Sequence, residues 1–339
     1  MKIAIIADPE LPVPPFLYGG IERIIAMLIE GYVKLGHEVS LFAHKDSKTS
    51  AKLFPYRGIS SSNKKDVLLN SIIINRELFV GKYDLVHSFG RLAYLLPQLP
   101  TKLPKLMSYQ REPSINQVRK AFSLARKNSL TFSGCSAYIS NQISPYAHAV
   151  PIFNGVDLKT YSFVPLVSED APLVFLGRIE PIKGTHIAIE VAKKTGKKLI
   201  IAGNIPKEYE HYFNTEIQPQ LNEQIRYIGP VNDVQKNNLL GNAGAFLMPI
   251  KWNEPFGIVM AEAMACGTPV IAFNRGSVPE VVNHGLNGFR CNTVAEMVEL
   301  VGKVNLLSRE AVRKDFEERF SAEVIINQYL NLYKQLTTK

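Results

Sequence analysis

The stretch that decides the fold opens the chain: Lys2-Ile-Ala-Ile-Ile-Ala7, a Pro- and Gly-rich loop from Pro9 to Gly20, a segment Ile21–Leu35, and then Gly36 before His37-Glu-Val-Ser-Leu-Phe-Ala43. The first run is short, β-branched and without polar alternation, which predicts a strand buried on both faces, as in a parallel sheet. Ile24, Ile25, Leu28 and Ile29 recur at helical spacing, Gly36 stops the helix, and the run to Ala43 reads as a second strand. Strand, loop, helix and strand in so few residues form a βαβ unit.

Working outward, the pattern continues through Asp84–His87, Lys105–Tyr109 and Thr131–Ser133. After Ala149–Asp157, a polar stretch with proline, Ser162–Pro172, reads as a linker. A second βαβ series then begins: Leu173–Gly177, a helix over Thr185–Lys194, Lys198–Gly203, Arg226–Gly229, Ala245–Pro249 and Pro269–Ala272. Several of these strands run straight into glycine, as ligand sites beyond the carboxyl ends of parallel strands require. The expected class is α/β, with two doubly wound Rossmann-like domains, 1–160 and 161–315. A helical tail, 316–339, carries an aromatic-rich pattern over Phe316–Leu336.

The 339 residues hold 39 Lys and Arg against 30 Asp and Glu, a net charge of +9 that admits nucleic acid, an anionic membrane or acidic substrates as partners. Residues 1–160 carry 20 basic and 11 acidic side chains, whereas 161–339 carry 19 of each, so the excess belongs to the first half. The longest apolar runs, such as Ile3–Ala7 and Ala245–Ile250, fall far short of the ~20 residues of a membrane span. No signal-peptide pattern follows Met1. Three scattered cysteines (Cys135, Cys266, Cys291) and dispersed histidines give no metal-ligand spacing, and point to a reducing, cytoplasmic setting.

The densest chemistry lies in Asn253-Glu-Pro-Phe-Gly-Ile-Val-Met-Ala-Glu-Ala-Met-Ala-Cys-Gly-Thr-Pro-Val-Ile-Ala272. A small-residue helix over Phe256–Cys266 is expected, entered through Pro255 and ended by Gly267. Glu262 shares a helix face with Ile258 and Val259, and a buried carboxylate needs donors. Either it forms a structural ion pair, for instance to an arginine, or it holds paired hydroxyls as acidic residues hold a ribose. Free amides around Phe256, Gly257, Ile258 and Val259 would make an anion site at the helix start. Arg178 and Lys183, in Gly177-Arg-Ile-Glu-Pro-Ile-Lys-Gly184, are either solvated charges or the neutralisers of a diphosphate. There is no GxxxxGK[ST], and Tyr18-Gly-Gly-Ile-Glu-Arg23 is not a GxGxxG fingerprint.

Together, Gly19-Gly20, Phe-Asn-Gly-Val-Asp (153–157), Gly-Arg-x4-Lys-Gly (177–184), Glu254-x7-Glu262, Gly276-Ser-Val-Pro-Glu280 and Asn287-Gly288 resemble the retaining GT-B glycosyltransferases of family 4, over nearly the whole chain. The resemblance implies two domains facing an interdomain cleft, the N-terminal one on the acceptor side and the C-terminal one holding the nucleotide sugar. The last helix would cross back to the N-terminal domain. It also implies metal-independent transfer from a UDP-, GDP- or ADP-linked sugar to an acceptor hydroxyl, in polysaccharide, lipopolysaccharide or glycolipid synthesis, with no cofactor beyond the co-substrate. On that likeness Arg178 and Lys183 stabilise the departing nucleoside diphosphate, Glu254 holds the donor sugar and Glu262 the ribose. Gly19 and Gly20 approach the phosphate. Phe256, Gly257, Ile258 and Val259 line the donor, and Gly203 and Val231 complete its pocket.

The family's usual acceptor-side histidine has no counterpart in Ser108-Tyr-Gln-Arg-Glu-Pro113. His87, Gln110 and Arg111 are the candidates, His87 being either structural or functional. A GT-B sugar-nucleotide epimerase would need acids and bases around the sugar, and a nucleic-acid binder would need a basic cluster interleaved with aromatics. The basic first half, through Lys64, Lys65, Lys102, Lys105, Arg119, Lys120, Arg126 and Lys127, either gives solubility or meets an anionic membrane at its inner face as a peripheral protein.

Overall fold

The computed structural model describes residues 1–16 and 19–338, so Tyr18 of the first glycine loop lies outside the described residues. The chain divides into two compact units, Met1–Gly155 with Ala322–Lys339, and Val156–Ser321.

Among its described residues the first unit holds seven strands: β1 (Lys2–Ile6), β2 (Glu38–Ala43), β3 (Lys52–Pro55), β4 (Leu85–Ser88), β5 (Lys105–Tyr109), β6 (Leu130–Gly134) and β7 (Ala149–Pro151). All are parallel, in the order β3-β2-β1-β4-β5-β6-β7, with Ile5 opposite both Leu41 and His87. β1 is fully enclosed from Ile3 to Ile6, which is why its sequence shows no polar alternation. The helix Gly20–Lys34 buries Ile24, Ile25, Leu28 and Ile29, and Gly36 ends it at φ 79°.

The second unit repeats the plan with six parallel strands: β8 (Leu173–Leu176), β9 (Leu199–Ala202), β10 (Ile225–Tyr227), β11 (Ala245–Met248), β12 (Val270–Phe273) and β13 (Gly288–Cys291), ordered β10-β9-β8-β11-β12-β13. Val174 sits opposite Ile200 and Phe246, so β8 is central. In each sheet the strand order reverses beside the first strand, between β1 and β4 and between β8 and β11. Ligands of open α/β sheets bind at such a point.

The unit boundaries fall five and six residues from the expected 160/161 and 315/316. Tyr161 and the preceding residues run with the second unit because the Val156 N–H donates to Phe320 O at 2.9 Å. Phe316 also belongs there, since the single helix expected over Phe316–Leu336 is two helices, Arg309–Phe320 and Ala322–Thr337. The break is Ser321, in an extended conformation at ψ 149°. The Arg309 guanidinium fixes the first of these helices by donating to the carbonyls of Val164, Gly241, Ala243 and Cys266 and to Thr268 Oγ1.

The second helix, Ala322–Thr337, packs on the first unit. Gly31 permits the approach, since a Cβ there would stand 2.3 Å from Ile326 Cδ1.

Candidate functional site

In the second unit the loops leaving β8 and β11, the strands flanking the reversal, carry the expected donor residues. After β8 the chain passes Gly177 and Arg178 and makes a 3-10 turn, Pro181–Lys183. It enters the helix Thr185–Thr195 through Gly184 at φ 78°. A Cβ on Gly184 would lie 2.1 Å from Pro249 O, so glycine lets this loop press against the backbone that leaves β11. Gly203, at φ 142°, does the same at the end of β9, where a Cβ would meet Gly177 O at 1.8 Å.

The two loops bring Lys183 and Glu254 together: Nζ donates to Oε2 at 2.9 Å, with the side chains 20% and 12% exposed. Trp252 Nε1 donates to the same oxygen at 3.0 Å, and the ammonium stands 4.8 Å from the Trp252 ring centre. Trp252 is a partner that no sequence spacing announced. Arg178 Nη2 lies 3.0 Å from the buried Glu180 carboxylate. Arg178 Nε is buried and lacks a hydrogen-bond partner, so the guanidinium keeps donor capacity in reserve.

The helix expected over Phe256–Cys266 is shorter, Ile258–Ala265, because Gly257 takes the left-handed conformation at φ 74° as its N-cap. Phe256 is buried ahead of it, and the first-turn amides of Ile258 and Val259 have no intrahelical acceptor. Gly276 closes over this loop, since a Cβ would stand 2.4 Å from the Glu254 backbone. Glu262 is 3% exposed, and its Oε1 accepts from Tyr161 Oη at 2.6 Å and Lys236 Nζ at 2.5 Å. The cation beside it is therefore a lysine, and sequence reading missed both partners. Val231 lies half-buried in the loop before the helix Asp233–Gly241, which carries Lys236.

In the first unit Gly19, at φ 151°, precedes the helix that starts at Gly20, and a Cβ on it would meet Pro15 and Glu22. Around the carboxyl ends of β4 and β5 is a cavity of about 600 Å³. Gln110 and Arg111 line it with Arg91, Lys120, Leu92 and Leu96; none of the donor residues does. Asn154 Nδ2 donates to Gln110 Oε1 at 2.7 Å, which places the Asn-Gly of 154–155 beside the expected acceptor residue. Gln110 Nε2 and Asn154 Oδ1 are both buried without a partner, so this pair has a donor and an acceptor left to offer. Arg111 Nη2 stands 3.5 Å from Asp8.

His87 does not line this cavity. It is fully enclosed, with Nδ1 sharing a hydrogen bond with Tyr333 Oη at 2.5 Å and Nε2 with Ser108 Oγ at 2.6 Å. Burial pushes its pKa down to about 3, which keeps the ring neutral. Among the described residues no group of three His, Cys, Asp or Glu side chains could hold a metal ion.

Residues 160–322 match the family model described as Glycosyl transferases group 1. The spore coat protein SA of Bacillus subtilis is 24% identical over 99% of this chain and 100% of its own length. The phosphatidyl-myo-inositol mannosyltransferase of Propionibacterium freudenreichii is 26% identical over 80% of this chain and 78% of its own. The crystal structure of Anabaena HepE in complex with UDP and glucose superimposes with a TM-score of 0.75, at 19% identity, covering 99% of this chain and 100% of that one. The chain has the GT-B fold, and its second unit matches a glycosyltransferase family.

Proposed function

We propose that this GT-B protein is a glycosyltransferase that takes its sugar from a nucleoside diphosphate donor held by the second unit. It passes the sugar, with retention of anomeric configuration and without a metal ion, to a hydroxyl of a glycan or glycolipid. The observation that carries this reading is the pairing of Lys183 and Glu254 from the loops on either side of the strand-order reversal, with Arg178 on the same loop as Lys183 and the open amides of Ile258 and Val259 following Glu254. A diphosphate placed there meets two cations and a helix start, the usual substitutes for a divalent ion.

In the reaction the bond between the sugar's anomeric carbon and the β-phosphate oxygen breaks, and its electron pair leaves with the nucleoside diphosphate. Arg178 and Lys183 stabilise that charge as it develops. The acceptor oxygen bonds to the anomeric carbon on the face the phosphate leaves, and its proton passes to the departing phosphate, so no protein base is required. Glu254 orients the sugar's hydroxyls, and the diphosphate competes with it for the Lys183 ammonium. Glu262 accepts the ribose hydroxyls through Oε2, with Lys236 and Tyr161 fixing Oε1. Gln110 and Arg111 serve the acceptor.

A thermal-shift panel of UDP, GDP, ADP and their sugars tests the reading. At a hundred times its Kd, a ligand specific to the native state adds about 2.7 kcal/mol of stability. UDP heads the panel because HepE was crystallised with it. One nucleotide is expected to raise Tm by several degrees with EDTA present; no response to any of the three would contradict the proposal.

A further inference from the structure

The helix Lys64–Val80 is apolar on the side that faces water. Asn70, Ile74, Asn75 and Leu78 bury its inner face. On the outer face Leu68, Ile72, Phe79 and Val80 are 63%, 56%, 63% and 73% exposed, and Leu69 is 43% exposed. Spacings of three, four and seven residues place them on one side of the helix, in a stripe that Arg76 interrupts between Ile72 and Phe79. Scattered single apolar residues are normal on a protein surface, but a stripe of them is a docking face.

The charges on that stripe select the partner. Lys65 and Arg76 lie on it and Lys64 opens the helix, all three exposed. Its two acids are engaged elsewhere: Asp66 Oδ2 accepts the Ile59 and Ser60 N–H groups at 3.0 Å, and Glu77 Oε1 accepts from Tyr83 Oη at 3.2 Å. A second copy of the chain packed isologously on this face would bring cation against cation. An anionic bilayer surface offers charge to the cations and acyl-chain depth to the leucines and phenylalanine.

The neighbouring 3-10 helix Leu92–Gln98 is tied to this one by Asn75 Nδ2 donating to Tyr94 O at 3.1 Å and Gln98 Nε2 donating to Asn75 Oδ1 at 3.0 Å. It carries the half-exposed Leu96, which lines the 600 Å³ cavity. Lys105, one of the lysines expected to meet lipid, takes no part. It is fully enclosed and its Nζ donates to the carbonyls of Gln98 and Thr101 at 2.8 and 2.9 Å.

We propose that the outer face of the helix Lys64–Val80 docks on an anionic membrane surface, with Leu68, Leu69, Ile72, Phe79 and Val80 entering the interface and Lys64, Lys65 and Arg76 meeting lipid phosphates. The proposal is independent of the donor chemistry, and a failure of either leaves the other standing.

Flotation of the full chain with phosphatidylglycerol-containing and with pure phosphatidylcholine vesicles tests it. The wild type is expected to float with the anionic vesicles and to stay behind with the neutral ones. A Leu68→Ser, Ile72→Ser, Phe79→Ser variant should lose binding more than tenfold, with an unchanged melting temperature because those side chains already face solvent. A Lys64→Gln, Lys65→Gln, Arg76→Gln variant should lose about a hundredfold on anionic vesicles. Failure of the wild type to float, equal flotation with both lipids, or full binding by the serine variant would overturn the proposal. So would a wild-type dimer in sedimentation that the serine variant dissociates, since that assigns the face to a second copy.

Discussion

Asp8 stands at the carboxyl end of β1 with Oδ1 buried and unpartnered, and its pKa is raised to about 6. Burial is the main cause and Glu10 adds to it, against the pull of Arg111 and Arg91. The folded state therefore holds this proton more tightly than the unfolded chain does. The stability so gained is complete below the ordinary carboxylate range and is lost as pH rises through about 6. Asp8→Asn, which keeps the neutral form at every pH, is expected to gain on the wild type by up to about 3 kcal/mol between pH 4 and pH 7. Urea titrations at the two pH values check this; an equal offset at both would show that the carboxyl is not held protonated. At the same scale, Arg178, Lys183 and Glu262 stood out in the sequence because each lies where a charge is costly without a purpose, at a strand end beside glycine or on an apolar helix face, whereas Glu254 was singled out only through the family resemblance. Lys236, Tyr161 and Trp252 were not legible, since only folding brings them to those carboxylates.

Elements were legible where the hydrophobic period was clean. β1, β2, β8 and β9 and the helix behind β1 match the expected segments to within a residue or two. β3 and β13 escaped notice as four-residue edge strands, too short to show a pattern. The helix Lys64–Val80 carried no readable face because it is apolar on both sides, and that same property now marks it as a docking element. The contact between the β8 and β11 loops rests on Gly184. Gly184→Ala combines a positive φ with a Cβ 2.1 Å from Pro249 O, and is expected to cost about 2–4 kcal/mol. It should also weaken nucleotide binding, because it displaces Lys183 from Glu254. Thermal denaturation and calorimetric titration of this variant measure both effects; wild-type values in each would show that the loops do not depend on the close approach.

For the molecule as a whole, the two-fold doubly wound plan was legible from the restart at Leu173, whereas the route of the last thirty or so residues was not. Helical periodicity runs through Ser321 and conceals the break. What fixes the final helix is a buried polar chain: Tyr32 Oη to Tyr333 Oη at 3.2 Å, Tyr333 to His87, and His87 to Ser108. Tyr333→Phe leaves His87 Nδ1 and Tyr32 Oη unpaired and is expected to cost about 1–3 kcal/mol. A chain ending at Ser321 should lose the calorimetric transition of the first unit and keep that of the second; survival of both would show that the last helix is dispensable. The net charge also gains a location, since the basic excess lies in the unit that exposes the apolar stripe. The second unit would manage a diphosphate with two placed cations.

Neutralisation of the diphosphate by Arg178 and Lys183 without a metal ion is tested by kcat/KM for the nucleotide-sugar donor in wild type, Arg178→Ala and Lys183→Ala, each with and without EDTA. Loss of a charge-assisted contact of roughly 1.5–3 kcal/mol predicts a fall of about one to two decades in each variant, with no effect of EDTA on the wild type. Near-wild-type turnover in both variants, together with a wild type that EDTA inactivates, would contradict it.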